Sequence, residues 1–344
     1  MTVQATILGG SGYAAGELVR LLLGHPDVEV AQVVSRSMAG RALTKAHPNL
    51  RKRTTLSFVA PEARRPTDVV FVATPHGEAH PIVPGLLAEG SLVIDLSADH
   101  RLRNPAEYPR YYGFEHPRPD LLGQAAYGLP ELYRTEIRRA RLIATPGCMA
   151  TAAILALHPL TKAGLIAPGR PVIVTALSGS SASGREAGTA GLHAERSGVM
   201  RLYAPAGHRH TAEIEQATGL TVALSAHGVE AVRGVLVTAH VSAREPVEEK
   251  QLWGAYRTAY GAEPFVRIVH ESDGPFREPE PKLLTGTNYC DVGFAVDRHT
   301  DRLIAVAALD NLVKGAAGNA VQSLNVVRGW PEDRGLEFPG LHPI

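Results

Sequence analysis

The sequence predicts an α/β protein with a parallel, doubly wound sheet in its first half and a second, α+β unit built on a mixed or antiparallel sheet. Two observations carry this. Strand and helix patterns alternate from the N-terminus to about residue 150, beginning with a complete strand, glycine turn, helix and strand. Beyond residue 170 the texture changes to closely spaced β-rich runs with fewer helices between them. A length of 344 residues with 44% hydrophobic side chains fits two domains with sizeable cores.

Val3 to Leu8 is a short apolar strand, followed by the glycine turn that opens at Gly9 and by Glu17 to Leu23 with helical periodicity. Val28 to Val34 is the second strand, and Asp68 to Ala73 and Leu92 to Leu96 are further β-like runs separated by a helix around Gly85–Glu89. Asn104 to Gly128, rich in Pro, Tyr and charge, reads as an irregular excursion before Arg139 to Thr145 returns to the sheet. The second half offers strands at Pro171–Leu177, Leu220–Ala226, Val232–Val241 and Thr287–Val296, with helices at Thr211–Ala217 and Val247–Tyr260. Asp310 to Val327 is one long amphipathic helix. Ser178 to Met200 lacks periodicity, and such a stretch in a compact domain is usually a functional loop; Arg185, Glu186, His193, Glu195 and Arg196 give it groups able to grip a polar ligand.

Thirty-five Lys and Arg against 34 Asp and Glu leave a net charge of +1, which gives no electrostatic reason for binding nucleic acid or a membrane surface. Local basic clusters remain at Arg51–Arg53, Arg64–Arg65 and Arg138, Arg139 and Arg141. Two cysteines, Cys148 and Cys290, exclude a disulfide framework and paired-cysteine metal sites, so no metal is expected. Free thiols, no charged leader and no long apolar run point to the cytoplasm.

Gly10-x-Gly12-x-x-Ala15, after a strand and before a helix, is a dinucleotide-binding fingerprint, and Gly9, Gly10, Ser11, Gly12 and Tyr13 are the turn that meets the cofactor. The second strand ends in Ser35-Arg36-Ser37 where an NAD enzyme would carry an acidic residue for the ribose. A cation flanked by hydroxyls suits a 2′-phosphate, so NADP(H) is preferred to NAD. Thr74, Pro75 and Ser97 follow later strands at the carboxyl edge and are assigned to the cofactor, as is Ser180 in the long loop. Asn311 is a candidate cofactor contact or a helix cap.

Cys148 follows a Pro-Gly turn and opens a helix, where unpaired amides and the helix dipole favour thiolate over thiol. A nucleophilic thiol needs a proton partner, and Gly207-His208-Arg209-His210-Thr211-Ala212-Glu213 supplies two imidazoles and an orienting carboxylate. On an extended segment His208 and His210 point the same way, so either is able to face the thiol. Arg101 is a candidate for holding an anionic substrate group, a phosphate for example. Thiolate, imidazole and NADP(H) together imply attack on an activated acyl group, a thioester, and hydride reduction to an aldehyde.

Gly10-Ser11-Gly12-Tyr13, Asp95 to Leu102 (DLSADHRL), Pro146-Gly147-Cys148, Gly207-His208-Arg209-His210 and Asp310 to Gly315 (DNLVKG) together resemble the N-acetyl-gamma-glutamyl-phosphate reductase family over essentially the whole chain. The resemblance implies a Rossmann domain at 1–147 completed by the C-terminal helix and tail at 311–344, and a catalytic and dimerisation domain of semialdehyde-dehydrogenase type at 148–310. It also implies reduction of an acyl phosphate by NADPH with Cys148 as nucleophile, in a dimer or tetramer. Cys148-Met149-Ala150-Thr151, Tyr203 to His210, and the tail Gly329-Trp330-Pro331 through Pro343 are more similar to the branch of lysine biosynthesis. That branch implies 2-aminoadipate 6-phosphate carried on an acidic amino-group carrier protein, which the basic clusters would meet; Met149 departs from its pattern. The alternatives are the arginine-pathway reductase acting on N-acetylglutamyl phosphate and, from another class, an NADP-binding redox sensor without turnover.

Overall fold

The computed structural model describes residues 2–185 and 188–344; Glu186, one of the polar groups of the long loop, lies outside the described residues. In chain order the elements are β1 (Val3–Leu8), α1 (Tyr13–Leu22), β2 (Val28–Val34), β3 (Val69–Val72), α2 (Val83–Ala88), β4 (Leu92–Asp95), α3 (Glu107–Tyr112), α4 (Pro119–Leu122), β5 (Ala125–Tyr127), α5 (Pro130–Arg139) and β6 (Leu142–Ala144). They continue with α6 (Cys148–Lys162), β7 (Val172–Ser178), α7 (His193–Arg196), β8 (Met200–Ala204), α8 (His210–Thr218), β9 (Val222–Val229), β10 (Val235–Ser242), α9 (Glu249–Tyr260), β11 (Val266–Ile268), β12 (Cys290–Asp297), β13 (Arg302–Leu309) and α10 (Gly318–Arg328). The chain divides into two compact units, one running to Pro146 and including Ala316–Glu337, the other comprising Gly147–Gly315 and Phe338–Ile344.

The first unit holds a six-stranded sheet of order β2-β1-β3-β4-β6-β5, parallel at every pairing. Strands β3, β4 and β6 are buried at every residue, which is why Val69 to Val72 is an unbroken apolar run rather than an alternating one. The strand order reverses between β1 and β3, and the carboxyl ends at such a switch point form the ligand crevice of doubly wound sheets. The Gly9–Gly12 turn stands at that edge. The Asn104–Gly128 excursion is less irregular than its Pro and Tyr content suggests, since it contains α3, α4 and the edge strand β5. α10 packs on α1 and α5, with Gln322 Nε2 donating to Glu131 Oε1 at 3.0 Å and Asn325 Oδ1 3.0 Å from His25 Nε2.

The second unit has a seven-stranded mixed sheet, order β11-β12-β13-β10-β7-β9-β8. Its inner strand β13 is absent from the sequence reading: three of the seven residues from Leu303 to Leu309 are alanine, which carries little β preference, and antiparallel pairing to β10 and β12 along its whole length makes it a strand. α6 lies across the sheet with nearly every side chain buried. Pro159 inside it has no N–H for the Leu155 carbonyl; Tyr260 Oη donates to that oxygen at 2.6 Å, and Tyr256 Oη donates to Ala156 O at 2.7 Å. The expected helix from Asp310 begins instead with a π turn at Val313–Ala317 before α10. The last seven residues also part from the expected placement of the tail: Phe338 lies against Gly286, and the His342 and Phe276 rings are 5.5 Å apart, all within the second unit.

Candidate active site

The fingerprint turn of the first unit is fixed by close backbone approach. Gly9 has φ +72°, and a Cβ there would lie 2.4 Å from the Ala73 carbonyl oxygen; one on Gly10 would lie 2.2 Å from Val33 Cγ1. Beneath the turn His47, which the sequence reading passed over, is buried with Nε2 2.7 Å from Gly10 O, and its ring occupies the space a side chain on Gly16 would need. Gly12 caps α1 with no side-chain bond, so the first amides of α1 are left for a ligand. Ser11, Ser35 and Ser37 form a hydroxyl row (3.3 and 3.5 Å), with Arg36 exposed beside it, and the row contains no carboxylate.

The loops after β3 and β4 complete this edge. Thr74 Oγ1 is buried with no partner among the described residues, an orphaned polar atom of the sort a bound cofactor satisfies. Pro75 is exposed, and Ser97 is buried with its N–H on Asp95 Oδ1 at 2.8 Å. Asp99 ties the loops together. Burial pushes its carboxyl up, but N–H bonds from Gly77, His80 and Ala79 (2.7, 3.0 and 2.9 Å) outweigh this and hold it below the usual range. Arg101 is buried, and its Nη2 donates to Leu96 O at 3.0 Å, bracing its own loop. The residues present fit the phosphates of a nicotinamide dinucleotide.

In the second unit Cys148 is the first residue of α6, partly exposed, after the N-cap Gly147. The first turn of α6 carries no acidic residue and no side-chain cap, and its amides and dipole act on the thiol. His210, the first residue of α8, lies against this corner: a Cβ on Gly147 would stand 2.1 Å from its Nε2. Fully buried Glu213, one turn along α8, accepts the Gly147 N–H at 2.9 Å through Oε2 and has Oε1 3.9 Å from His210 Nε2. From the other side Gly315, in the π turn, approaches so closely that a Cβ there would be 2.5 Å from Cys148 Cβ.

The two imidazoles are not equivalent, contrary to the picture of both on one extended segment. Arg209 is already helical and His210 opens α8, so the rings meet edge to face at 4.6 Å. His208 Nδ1 accepts the His210 N–H at 3.2 Å, which leaves its proton on Nε2 when neutral. Burial, with a smaller push from Arg209, lowers its pKa to about 4. His208 is therefore an uncharged donor at neutral pH.

The remaining assigned residues, Ser180 and Asn311, belong to the second unit and are bonded within it. Ser180 N–H donates to Ala231 O at 2.8 Å; Asn311 accepts the Gly234 N–H at 2.8 Å and donates to Ser181 Oγ at 2.9 Å. In the long loop Arg196 bonds Val229 O and so braces β9. Among the described residues no group of three or more His, Cys, Asp or Glu is placed to hold a metal, and no helix is long and apolar enough to cross a membrane.

A parallel dinucleotide-type sheet joined to a mixed sheet with a thiol at a helix N-terminus defines a class of two-domain dehydrogenases. Residues 4–140 match the semialdehyde dehydrogenase NAD binding domain and residues 148–311 the semialdehyde dehydrogenase dimerisation domain, and the chain belongs to that family of oxidoreductases. A Deinococcus radiodurans protein named LysW-L-2-aminoadipate 6-phosphate reductase is 48% identical, over 98% of this chain and 97% of its own. A Thermomicrobium roseum protein given the same name provisionally is 56% identical over the full length of both. Aspartate semialdehyde dehydrogenase II of Vibrio cholerae shares the fold (TM-score 0.73, 16% identity, 96% of this chain and 99% of that one). So does the aspartate semialdehyde dehydrogenase of Candida albicans solved with NADP (TM-score 0.71, 15% identity, 95% and 99%).

Proposed function

We propose that this chain reduces an acyl phosphate to an aldehyde through a thioester on Cys148, with NADPH as reductant and carrier-linked L-2-aminoadipate 6-phosphate as substrate. The observation that carries the reading is the corner formed by Gly147, Cys148, His210 and Glu213, where a helix N-terminus and an imidazole–carboxylate pair meet at one thiol. His210 takes the thiol proton and later returns it to the oxygen of the tetrahedral adduct; Glu213 orients it. The uncapped amides of α6 stabilise the thiolate and the departing phosphate. The chemistry that the nicotinamide cofactor supplies when bound is hydride donation to the thioester carbonyl. Gly9 to Tyr13, Thr74, Pro75 and Ser97 hold its phosphates, Ser35, Arg36 and Ser37 its 2′-phosphate, and Arg101 is assigned the substrate phosphate.

Full-length identity to reductases named for LysW-linked aminoadipate phosphate supports the lysine branch over the arginine one. A redox sensor without turnover would leave the His210–Glu213 pair unexplained. A match to a dimerisation domain supports a homo-oligomer, and the second sheet offers an uncovered face that includes Ile173, 43% exposed. The proposed setting is the cytoplasm. The test is kinetic: carrier-bound aminoadipyl phosphate is expected to be turned over efficiently and free N-acetylglutamyl phosphate poorly. Efficient reduction of the free compound would sink the carrier reading.

A further inference from the structure

Strand β8 is the edge of the second sheet, and its pairing with β9 slips within three residues: Leu202 faces His227 while Ala204, not Tyr203, faces Ala226. Tyr203 is thus the extra residue of a β-bulge. Bulges re-aim side chains and collect beside functional sites. This one aims a half-exposed tyrosine at the candidate site: its Oη lies 3.4 Å from His208 Nε2 and 4.0 Å from Met149 Sδ, and its ring meets the His208 ring edge to face at 5.9 Å. Met149 is the residue after the nucleophile and is itself buried.

We infer that Tyr203 is a positioning residue of the reduction, its hydroxyl accepting the His208 Nε2 proton and holding that ring in one orientation so that His210 is held in turn against the Cys148 corner. The inference rests on the thioester reading above. The steps are geometric. His208 Nδ1 is occupied by the His210 N–H, so the neutral ring carries its proton on Nε2 and donates to Tyr203 Oη. The phenol's own proton then points to the Met149 sulfur, 4.0 Å away. Burial, then the negative charge of Cys148, push the Tyr203 hydroxyl up, so it stays a neutral donor during turnover. His208 and His210 rings touch at 4.6 Å, so a turned His208 displaces the imidazole that borders Gly147.

The experiment compares Tyr203→Phe with the wild-type enzyme by steady-state kinetics and by 15N NMR of the histidine side chains. Tyr203 is half-exposed on an edge strand, and Phe keeps the ring, so the variant folds; its melting temperature checks this. His208 is expected to be the Nε2–H tautomer in both, since the His210 N–H occupies Nδ1, and its 15N shifts are expected to move in the variant, where Nε2–H has lost its acceptor. In parallel kcat falls about tenfold, the consequence of one buried donor losing its acceptor, with KM for the acyl phosphate unchanged. Unchanged His208 15N shifts overturn the inference even if kcat falls, because the hydroxyl would then act elsewhere; unchanged kcat with altered shifts overturns it too. Full turnover by Cys148→Ser would instead remove the thioester reading, and that result is independent of the Tyr203 shifts.

Discussion

Gly315→Ala tests the geometry of the thiol without touching any group that carries protons or charge. The added methyl would stand 2.5 Å from Cys148 Cβ, 3.1 Å from Cys148 Cα and 3.2 Å from Leu309 Cδ1, with φ outside the left-handed region, so the effect is steric. Ordinary carbon contacts lie at about 3.5–4.0 Å, so relief requires roughly 1 Å of movement, and the nearest neighbours are main-chain-proximal atoms of a buried helix that cannot swing aside. Overpacking of this size costs about 1–3 kcal/mol, or several degrees in melting temperature. A displacement of about 1 Å at a reacting group lowers the rate about 100-fold. The assays are calorimetry and turnover, with the rate of Cys148 alkylation as a reading of thiol placement alone. Wild-type turnover together with wild-type melting would refute the argument that the π turn fixes the nucleophile.

Cys148→Ser should abolish aldehyde formation while leaving nicotinamide binding, followed by fluorescence, intact; retained turnover would exclude the thioester. Arg36→Asp should move cofactor preference from NADPH toward NADH by about tenfold or more in kcat/KM, because a carboxylate repels a 2′-phosphate and accepts a ribose hydroxyl; an unchanged ratio would place the discrimination elsewhere. Acid stability follows from His208: its pKa is lowered from 6.5 to about 4, so the unfolded chain binds the extra proton first and stability falls as pH drops from 6.5 toward 4, by about 3 kcal/mol for this group. Buried His25 and His116 and half-buried His158, also lowered, act in the same direction. Urea unfolding at pH 7 and 5 should therefore show a smaller acid loss in His208→Gln than in wild type, and equal losses would contradict the assignment.

The fold class was legible because the residues that specify it are local. Val3–Leu8, the Gly9–Gly12 turn and Val28–Val34 are each set by sequence neighbours, and they stand as read. What was missed is specified at long range. β13 and β5 are alanine-bearing segments that become strands only through their partners. The helix read from Asp310 starts only at Val313 and as a π turn, and the fit of Gly315 against Cys148 that goes with it spans well over a hundred residues of chain. At the candidate site the histidine motif was visible as a cluster within one short stretch. The difference between His208 and His210 was not, because it depends on where α8 begins and on a bulge in β8. His47 and Asp99 escaped notice for a similar reason: a lone histidine and a loop aspartate acquire a task only when Gly10 and the amides of Gly77 to His80 arrive beside them.

These long-range devices share a physical consequence. α6 is apolar on all sides and nearly wholly buried, which fixes its axis, and the tyrosine hydroxyls at Leu155 and Ala156 satisfy carbonyls that Pro159 and burial would otherwise leave short of donors. A helix so held presents its first turn at one position, and its dipole is preorganised rather than gathered during reaction. The charges nearby are arranged to leave that field to the thiol. Glu213 directs its carboxylate at the Gly147 N–H and at His210, and His208 is held uncharged. On the proposed reading, an approaching phosphate meets a positive helix end whose neighbouring carboxylate, Glu213, is already engaged by Gly147 and His210, and His210, beside Gly147, is the imidazole that receives the thiol proton.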